Sequence, residues 1–521
     1  MQQSLPTKNT LRPIVGARPL RGLEVVLAQI GDTMGPDLIV GHVRGPMSFD
    51  VLREAVFRVQ QLHPTLRAAI RWPDGRQDQR PSLYAFEPDR GALDVVEMGE
   101  PESGSGDPTW RATHNAYWQW AAQEQSKHRF NLDAGFLLRV VWVQDRNGTG
   151  GHLIVCSHHA IVDGTSLMRL LNQILQNAAE VQHAIDRSGL SAAAAAASLS
   201  PVQAMPLSPA LYSFLRFNLL EKALSWVGRR LAVSEQRTFV RKPWLPMAKN
   251  SRVPLPQLQI STQCVFAQGE NGNWDALQQQ CKSTGVTVGG AFSAAVQFAI
   301  CRHLREHGMA LPSKGGKVAI PLSMDYNMRT RIDHGSIDPN AIGLGTSIAS
   351  VGVKAAPDVP FWDLARSIML NARAQVRYRT PKLFQGVTDT IFGYADFWRG
   401  HGIDHGMTGG AGDGVNISNV GRYPFPTELG PFSLENVFGF NGACISGPLY
   451  IFWLRQVNGH LCYNAMACSP GADRAMLTEV FGHLVEVMER QAVREAASLT
   501  LSDYAEIGGN KAGVALPAYA S

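Results

Sequence analysis

The stretch Ser157-His158-His159-Ala160-Ile161-Val162-Asp163-Gly164 decides how this chain is read. Two tandem histidines, an acid four positions after the second and a glycine beside it make an HHxxxDG pattern. Four specified residues in seven arise by chance in roughly two per thousand chains of this length and composition, so the match carries information. Before it, Leu153-Ile154-Val155-Cys156 reads as a strand; after it, Thr165-Ser166-Leu167-Met168-Arg169-Leu170-Leu171 reads as a helix. A strand ending in histidines fixes the backbone beside an imidazole whose free pKa is about 6.5, which suits a general base. A lone histidine there is more often an ordinary packed residue, but the pair with its spaced Asp is not. Metal binding is the next alternative. Adjacent strand side chains point to opposite faces, so His158 and His159 do not share one ion. No HExxH or CxxC spacing occurs either, and no metal is expected.

The segment resembles the active-site motif of the chloramphenicol-acetyltransferase-like superfamily. That group includes condensation domains of nonribosomal peptide synthetases, alcohol O-acyltransferases, polyketide-associated acyltransferases and wax ester synthases. The resemblance implies that His159 is the general base and His158 its motif neighbour. It implies that Asp163 is structural and paired with an arginine, and that Gly164 leaves room for substrate and backbone. Weaker stretches follow in the family's order. His63-Pro64-Thr65-Leu66-Arg67, after an apolar-periodic helix over 52–62, is similar to an HPxLR turn, which makes Arg67 the candidate partner of Asp163. A solvated strand arginine is the other reading of Arg67. Phe130-Asn131-Leu132-Asp133-Ala134-Gly135-Phe136-Leu137-Leu138-Arg139 resembles the approach to the motif strand, with Phe136 where proline is common. Gly285-Val286-Thr287-Val288-Gly289-Gly290 is similar to a "GVTxND" turn, with two glycines in place of Asn and Asp. Ile320-Pro321-Leu322-Ser323-Met324-Asp325 resembles the strand that follows. Asn416-Ile417-Ser418-Asn419-Val420-Gly421 resembles the SNxG strand. The DFGWG motif of the plant branch is absent. The resemblance spans about residues 20–490.

The implied fold class is α/β: two chloramphenicol-acetyltransferase-like sandwich lobes with a central tunnel. Composition agrees with a large globular protein. With 521 residues, 45% apolar and 17% charged, the chain exceeds one compact core. The expected organisation is a loose leader over 1–20, an N-terminal lobe over 21–185, a crossover linker with a lid helix over 186–250, a C-terminal lobe over 251–490 and a tail over 491–521. The linker reading rests on the alanine run 192–197 and on Pro201, Pro206 and Pro209. Leu211 to Trp226 is apolar with interspersed basic residues, and reads either as a lid that touches lipid or a carrier protein, or as a helix packed on the body. Gly406, Gly409, Gly410, Gly412 and Gly414 mark a loop, either at the tunnel mouth or a plain surface connection. The net charge of +5 leaves no nucleic-acid footprint. Seven scattered cysteines argue against a disulfide framework; with no signal-peptide pattern and no membrane-length apolar run, a cytoplasmic monomer is expected.

No GxSxG elbow is present, and Cys156 in its apolar strand reads as a buried thiol, so direct transfer is expected rather than an acyl-enzyme. His159 would deprotonate an alcohol or amine acceptor attacking a thioester. No cofactor is expected to be bound; acyl-coenzyme A or an acyl-carrier protein is the co-substrate. An oxyanion needs a donor, and Asn416, Ser418 and Asn419 are the candidates. Alternation puts Asn416 and Ser418 on one strand face and Asn419 on the other. An ordinary polar cluster is the bland alternative. Three functions stay open: an O-acyltransferase such as those making lipid or polyketide esters in secondary metabolism, an amide-forming condensation enzyme, and a non-catalytic binding relative.

Overall fold

The computed structural model describes residues 12–501 apart from 31–33, 77–78, 101–110, 112–113, 229–260, 271, 312, 391–413, 443–447, 470–471 and 492–499. Two six-stranded sheets organise it. The first contains β2 (Asp37–Arg44), β5 (Val95–Gly99), β6 (Leu138–Gln144), β7 (Gly150–Ser157), β15 (Glu428–Leu429) and β16 (Phe432–Asn441), in the order β15-β16-β2-β7-β6-β5. The second contains β8 (Ser261–Gln268), β11 (Leu322–Asn327), β12 (Thr346–Ser350), β14 (Val415–Arg422), β17 (Tyr450–Val457) and β18 (His460–Ser469), in the order β12-β11-β14-β17-β18-β8. Small three-stranded sheets flank them, one of β1 (Ile14–Pro19), β3 (Ala68–Arg71) and β4 (Ser82–Phe86), the other of β9 (Ser313–Lys314), β10 (Lys317–Ala319) and β13 (Lys354–Ala355).

Every residue of β7 is buried, so the strand lacks an apolar–polar alternation and reads as a continuous apolar run, as expected of a strand covered on both faces. It is followed at once by the motif helix Gly164–Ser188, whose buried positions (Leu167, Leu170, Leu171, Ile174, Leu175, Ala178) recur at helical spacing and pack on the helix Phe49–Leu62. In the second lobe, the helix Val288–Glu306 is buried along most of its length. Thr287 caps it by accepting from the Gly290 amide at 3.2 Å, so the two glycines that replace Asn and Asp do not leave it uncapped. A side chain at Gly290 would also strike the Ala365 carbonyl, 2.8 Å from where its Cβ would lie.

Three expectations change. Strand β1 lies within the stretch read as a leader and pairs with β4 from Ile14 to Pro19. Strands β15 and β16 come from the C-terminal half yet complete the N-terminal sheet, with β16 antiparallel to β2. The lobes are therefore not collinear with the sequence. The alanine run is not a free linker: the helix Ala192–Ser198 is capped by Ser191, buries Ala195 and Ala196, and packs on the motif helix. The region 219–228 is helical and is tied to the body on one side. Glu221 ties it to Lys382 at 3.1 Å and to Arg379, while Leu219, Leu220, Leu224, Trp226 and Val227 are exposed. Of the five glycines read as a loop, Gly406, Gly409, Gly410 and Gly412 lie outside the described residues, as do 502–521 of the tail. Among the described residues no single helix is long and apolar enough to cross a membrane.

Candidate active site

His159 sits in the turn between β7 and the motif helix. Its side chain keeps 18% of its surface exposed. Its Nδ1–H is aligned on the Val162 carbonyl at 3.0 Å, and the Asp37 carboxylate lies 2.6 Å from the same nitrogen. Among the described residues no hydrogen bond engages Nε2. With two acceptors at Nδ1, the neutral ring carries its proton there and leaves the Nε2 lone pair available.

Asp37 was not legible as a site residue. It opens β2, and the antiparallel register sets it opposite Ser157 on one side and Asn441 on the other. The Asn441 amide donates to its Oδ1. Burial pushes the Asp37 carboxyl up, opposed by the neighbouring imidazole. For His159, burial favours the neutral ring, but the Asp37 charge outweighs it and the pKa is pushed up to about 9. His158 is the opposite case. Burial, with the adjacent His159 charge, pushes it down to about 3, and it accepts from the Ala160 amide through Nδ1 at 3.2 Å. It is a neutral packing residue that shapes the turn.

Asp163 pairs with an arginine, but that arginine is Arg329 and not Arg67. Arg329 Nη1 donates to Asp163 Oδ2 at 2.7 Å and Nη2 to Oδ1 at 3.1 Å. The same carboxylate accepts from the Ser166 amide, capping the motif helix, and from the Gly345 amide across the lobe boundary. Burial alone would raise its pKa; the Arg329 charge overrides that and lowers it. Gly345 is required here, because any Cβ would run into the Arg329 guanidinium. Arg67 instead holds three backbone carbonyls, at Phe86 (2.5 Å), Gln61 (3.1 Å) and Gln60. It pins the turn into β3, which neither reading of it had anticipated. Gly164 lies at the seam: a Cβ there would meet Val420 at 3.5 Å and Trp453 at 3.6 Å, ordinary contact that narrows the gap without collision.

The second lobe brings a carboxyl to the same place. Asp325 on β11 is close enough to His159 and Asp37 to feel both charges. Burial pushes its pKa up to about 6, against hydrogen bonds from Asn416 and Ser418. Asn416 Nδ2 donates to Asp325 Oδ1 at 3.1 Å and to Ser323 Oγ at 3.1 Å, which uses both of its protons. Asn416 thus spends its donors on Ser323 and Asp325 rather than on a vacant oxyanion position, and Ser418 lies near enough to Asp325 to lower its pKa. Asn419 is on the opposite face: its Oδ1 accepts from Gly421, and its Nδ2 comes up against Gly289. Cys156 is fully buried, and burial pushes its thiol far up, away from thiolate chemistry.

No protein-family model matches the sequence, and no curated protein matches it significantly. Solved structures do. Trichothecene 15-O-acetyltransferase from Fusarium sporotrichioides superposes with a TM-score of 0.66 over 93% of this chain and 99% of its own, at 11% identity. The first condensation domain of the calcium-dependent antibiotic synthetase gives 0.59 over 94% and 99%, at 15% identity. Polyketide synthase associated protein 5 from Mycobacterium tuberculosis gives 0.57 over 91% and 99%, at 14% identity. The chain has the chloramphenicol-acetyltransferase-like fold. At these identities it is the fold that is established; it agrees with the two α/β lobes expected from the HHxxxDG segment. In this fold the His159 turn meets the second lobe through the Arg329–Asp163 pair and the 2.7 Å bond from Ser166 Oγ to the Gly343 carbonyl.

Proposed function

We propose that the protein is an acyltransferase that moves an acyl group from a thioester, carried by coenzyme A or a carrier protein, to an alcohol acceptor. The observation that carries this reading is the state of His159: Nδ1 is held by Asp37 and Val162, while Nε2 is unengaged in a partly exposed position. In the neutral ring, Nε2 removes the acceptor proton as the acceptor oxygen attacks the thioester carbonyl. The tetrahedral intermediate then collapses, the C–S bond breaks, and the proton passes from the imidazolium to the leaving thiolate. Asp37 offsets the charge that the ring gains in between. Transfer is direct, because the described cysteines are all buried and none offers a thiolate. General-base help of this kind is worth about 10²–10⁴-fold.

An amine acceptor is the second reading, and Asp325 is the observation that favours it. A buried carboxyl beside the base supplies a counter-charge to an ammonium group, which an alcohol does not need. The test is thiol release from a panel of acyl-coenzyme A donors, with alcohols and amines offered separately, on the parent and on His159→Ala. Acceptor-dependent release that falls by about 10²-fold or more in the variant supports the base assignment. Near-parent turnover in His159→Ala defeats it. A preference for amines moves the reading to amide formation, and no release from free or carrier-bound donors leaves a binding relative.

A further inference from the structure

Far along the second lobe from its motif seam, the last turn of the helix Val288–Glu306 packs against the helix Arg474–Glu486. His303 lies in that last turn and His307 at the C-cap, four residues on, which sets both rings on one helix face. Across from them stands Glu479. His307 Nε2 is 2.8 Å from Glu479 Oε2, and His303 Nδ1 is 3.3 Å from the same oxygen. One donor atom from each of the three residues lies within 4.8 Å of the other two. We propose that His303, His307 and Glu479 form a binding site for a borderline transition-metal ion of the zinc class, clamping the two helices together.

Three observations converge on it. First, His303 is 3% exposed; among the described residues its Nε2 has no hydrogen-bond partner, and its Nδ1 faces the Glu479 carboxylate at 3.3 Å without hydrogen-bond geometry. A buried imidazole nitrogen left without water or a partner is costly unless a further group meets it. Second, two donors about 2.05 Å from a tetrahedral ion are about 3.3 Å apart, which is the His303–Glu479 separation; His307, hydrogen-bonded to Glu479 at 2.8 Å, reaches that spacing by drawing back about 0.5 Å. Third, the charges beside the site pair largely with one another. Arg302 engages Glu306 at 2.8 Å and Glu486 at 3.0 Å, and His483 Nε2 faces Glu306 at 2.8 Å. His483 Nε2 is 3.9 Å from Glu479 Oε1 and, with Glu306, makes a neighbouring ligand group that shares Glu479. Two imidazoles and a carboxylate select zinc-like ions over calcium or magnesium, which prefer all-oxygen shells. Glu479 and His307 keep a third and about half of their side-chain surface exposed, so an ion has a path in.

The experiment titrates chelator-treated, untagged full-length protein with zinc chloride and, in parallel, reads cobalt(II) absorption. Parent protein is expected to take up one equivalent and to show tetrahedral cobalt bands. The exposed substitution His307→Ala, and Glu479→Gln, should each weaken binding by at least roughly 10–100-fold, the loss that follows removal of even an outer-shell partner of a metal site. Free zinc at a hundred times Kd should shift the parent's unfolding equilibrium about 100-fold towards the native state, and not that of the variants. The histidine pair His42 and His152, which faces Asp145, is the control. The proposal is overturned if the parent binds no zinc, if both variants bind as the parent does, or if binding is lost in His42→Ala/His152→Ala instead.

Discussion

Replacing Asp37 by asparagine keeps the shape and removes one charge, and its effect on His159 follows from the site. In the parent the ring is held at about 9, so at pH 7 only about 1% of it is the neutral base. Without the Asp37 charge the largest remaining influence is burial, which lowers the pKa against the Val162 carbonyl and the Asp325 charge. A return to the ordinary 6.5 is a fall of about 2.5 units, or about 3.4 kcal/mol between the two protonation states. Two consequences oppose each other. The neutral fraction at pH 7 rises from about 1% to more than about half, while the base becomes intrinsically weaker by ~20-fold for a Brønsted slope of about one half. The rising limb of kcat/KM against pH should therefore move about two units towards acid, with the loss of rate concentrated above pH 8 and a gain of about 2–4-fold at pH 7. The assay is the disappearance of thioester absorbance across pH 6–10, corrected for spontaneous hydrolysis. A limb that stays in place, or a loss equal at every pH, would refute the electrostatic role of Asp37.

Arg329→Met strands the Asp163 carboxylate at the seam and should cost about 3–5 kcal/mol in urea unfolding. A double-mutant cycle with Asp163→Asn should show coupling of about 0.5–3 kcal/mol for Arg329 and additivity for Arg67, and the reverse pattern would contradict the pairing described here. Gly164→Ala should fold with parent stability and alter KM for the bulkier acceptors, whereas a fall in melting temperature would mean that the seam has no spare room. Acid should destabilise the protein through its buried neutral histidines. His63, His114, His128 and His152 are held at about 4 and His158 at about 3, chiefly by burial. Below pH 6.5 the unfolded chain binds protons that the native state refuses, so each costs up to about 1.36 kcal/mol per pH unit down to its native pKa. His159 has the opposite sign: its contribution is complete below pH 6.5 and fades as pH rises through about 9. Chemical denaturation at pH 4.5, 6.5 and 8 checks this, and equal stability at pH 4.5 and 6.5 would be incompatible with it.

The local features were legible because they are written in contiguous residues. The apolar run 153–156 made a strand whatever surrounded it, and Asp163 acts as a cap because its side chain reaches the Ser166 amide three residues on. The opposite-face placement of Asn419 relative to Asn416 and Ser418 followed from strand alternation alone. What failed was the identity of long-range partners. Arg67 and Arg329 are both arginines near strands, and nothing in either local sequence says which guanidinium reaches Asp163. The alanine run looked like a linker because low complexity hides the two positions, Ala195 and Ala196, that are buried.

The sequence by itself determined the histidine that can act as a base, the strand–turn–helix that presents it and the α/β class. Each depends on residue type and short-range spacing, which tertiary packing does not alter. Only the tertiary structure decided that Asp37 faces His159, that Asp325 joins them from the second lobe and that β16 completes the first sheet. These depend on β register between segments up to 404 residues apart, as for Asp37 and Asn441. Register is set by the burial of whole sheets and not by any one residue, so a lone acid opening an apolar strand gives no sign of what it will meet.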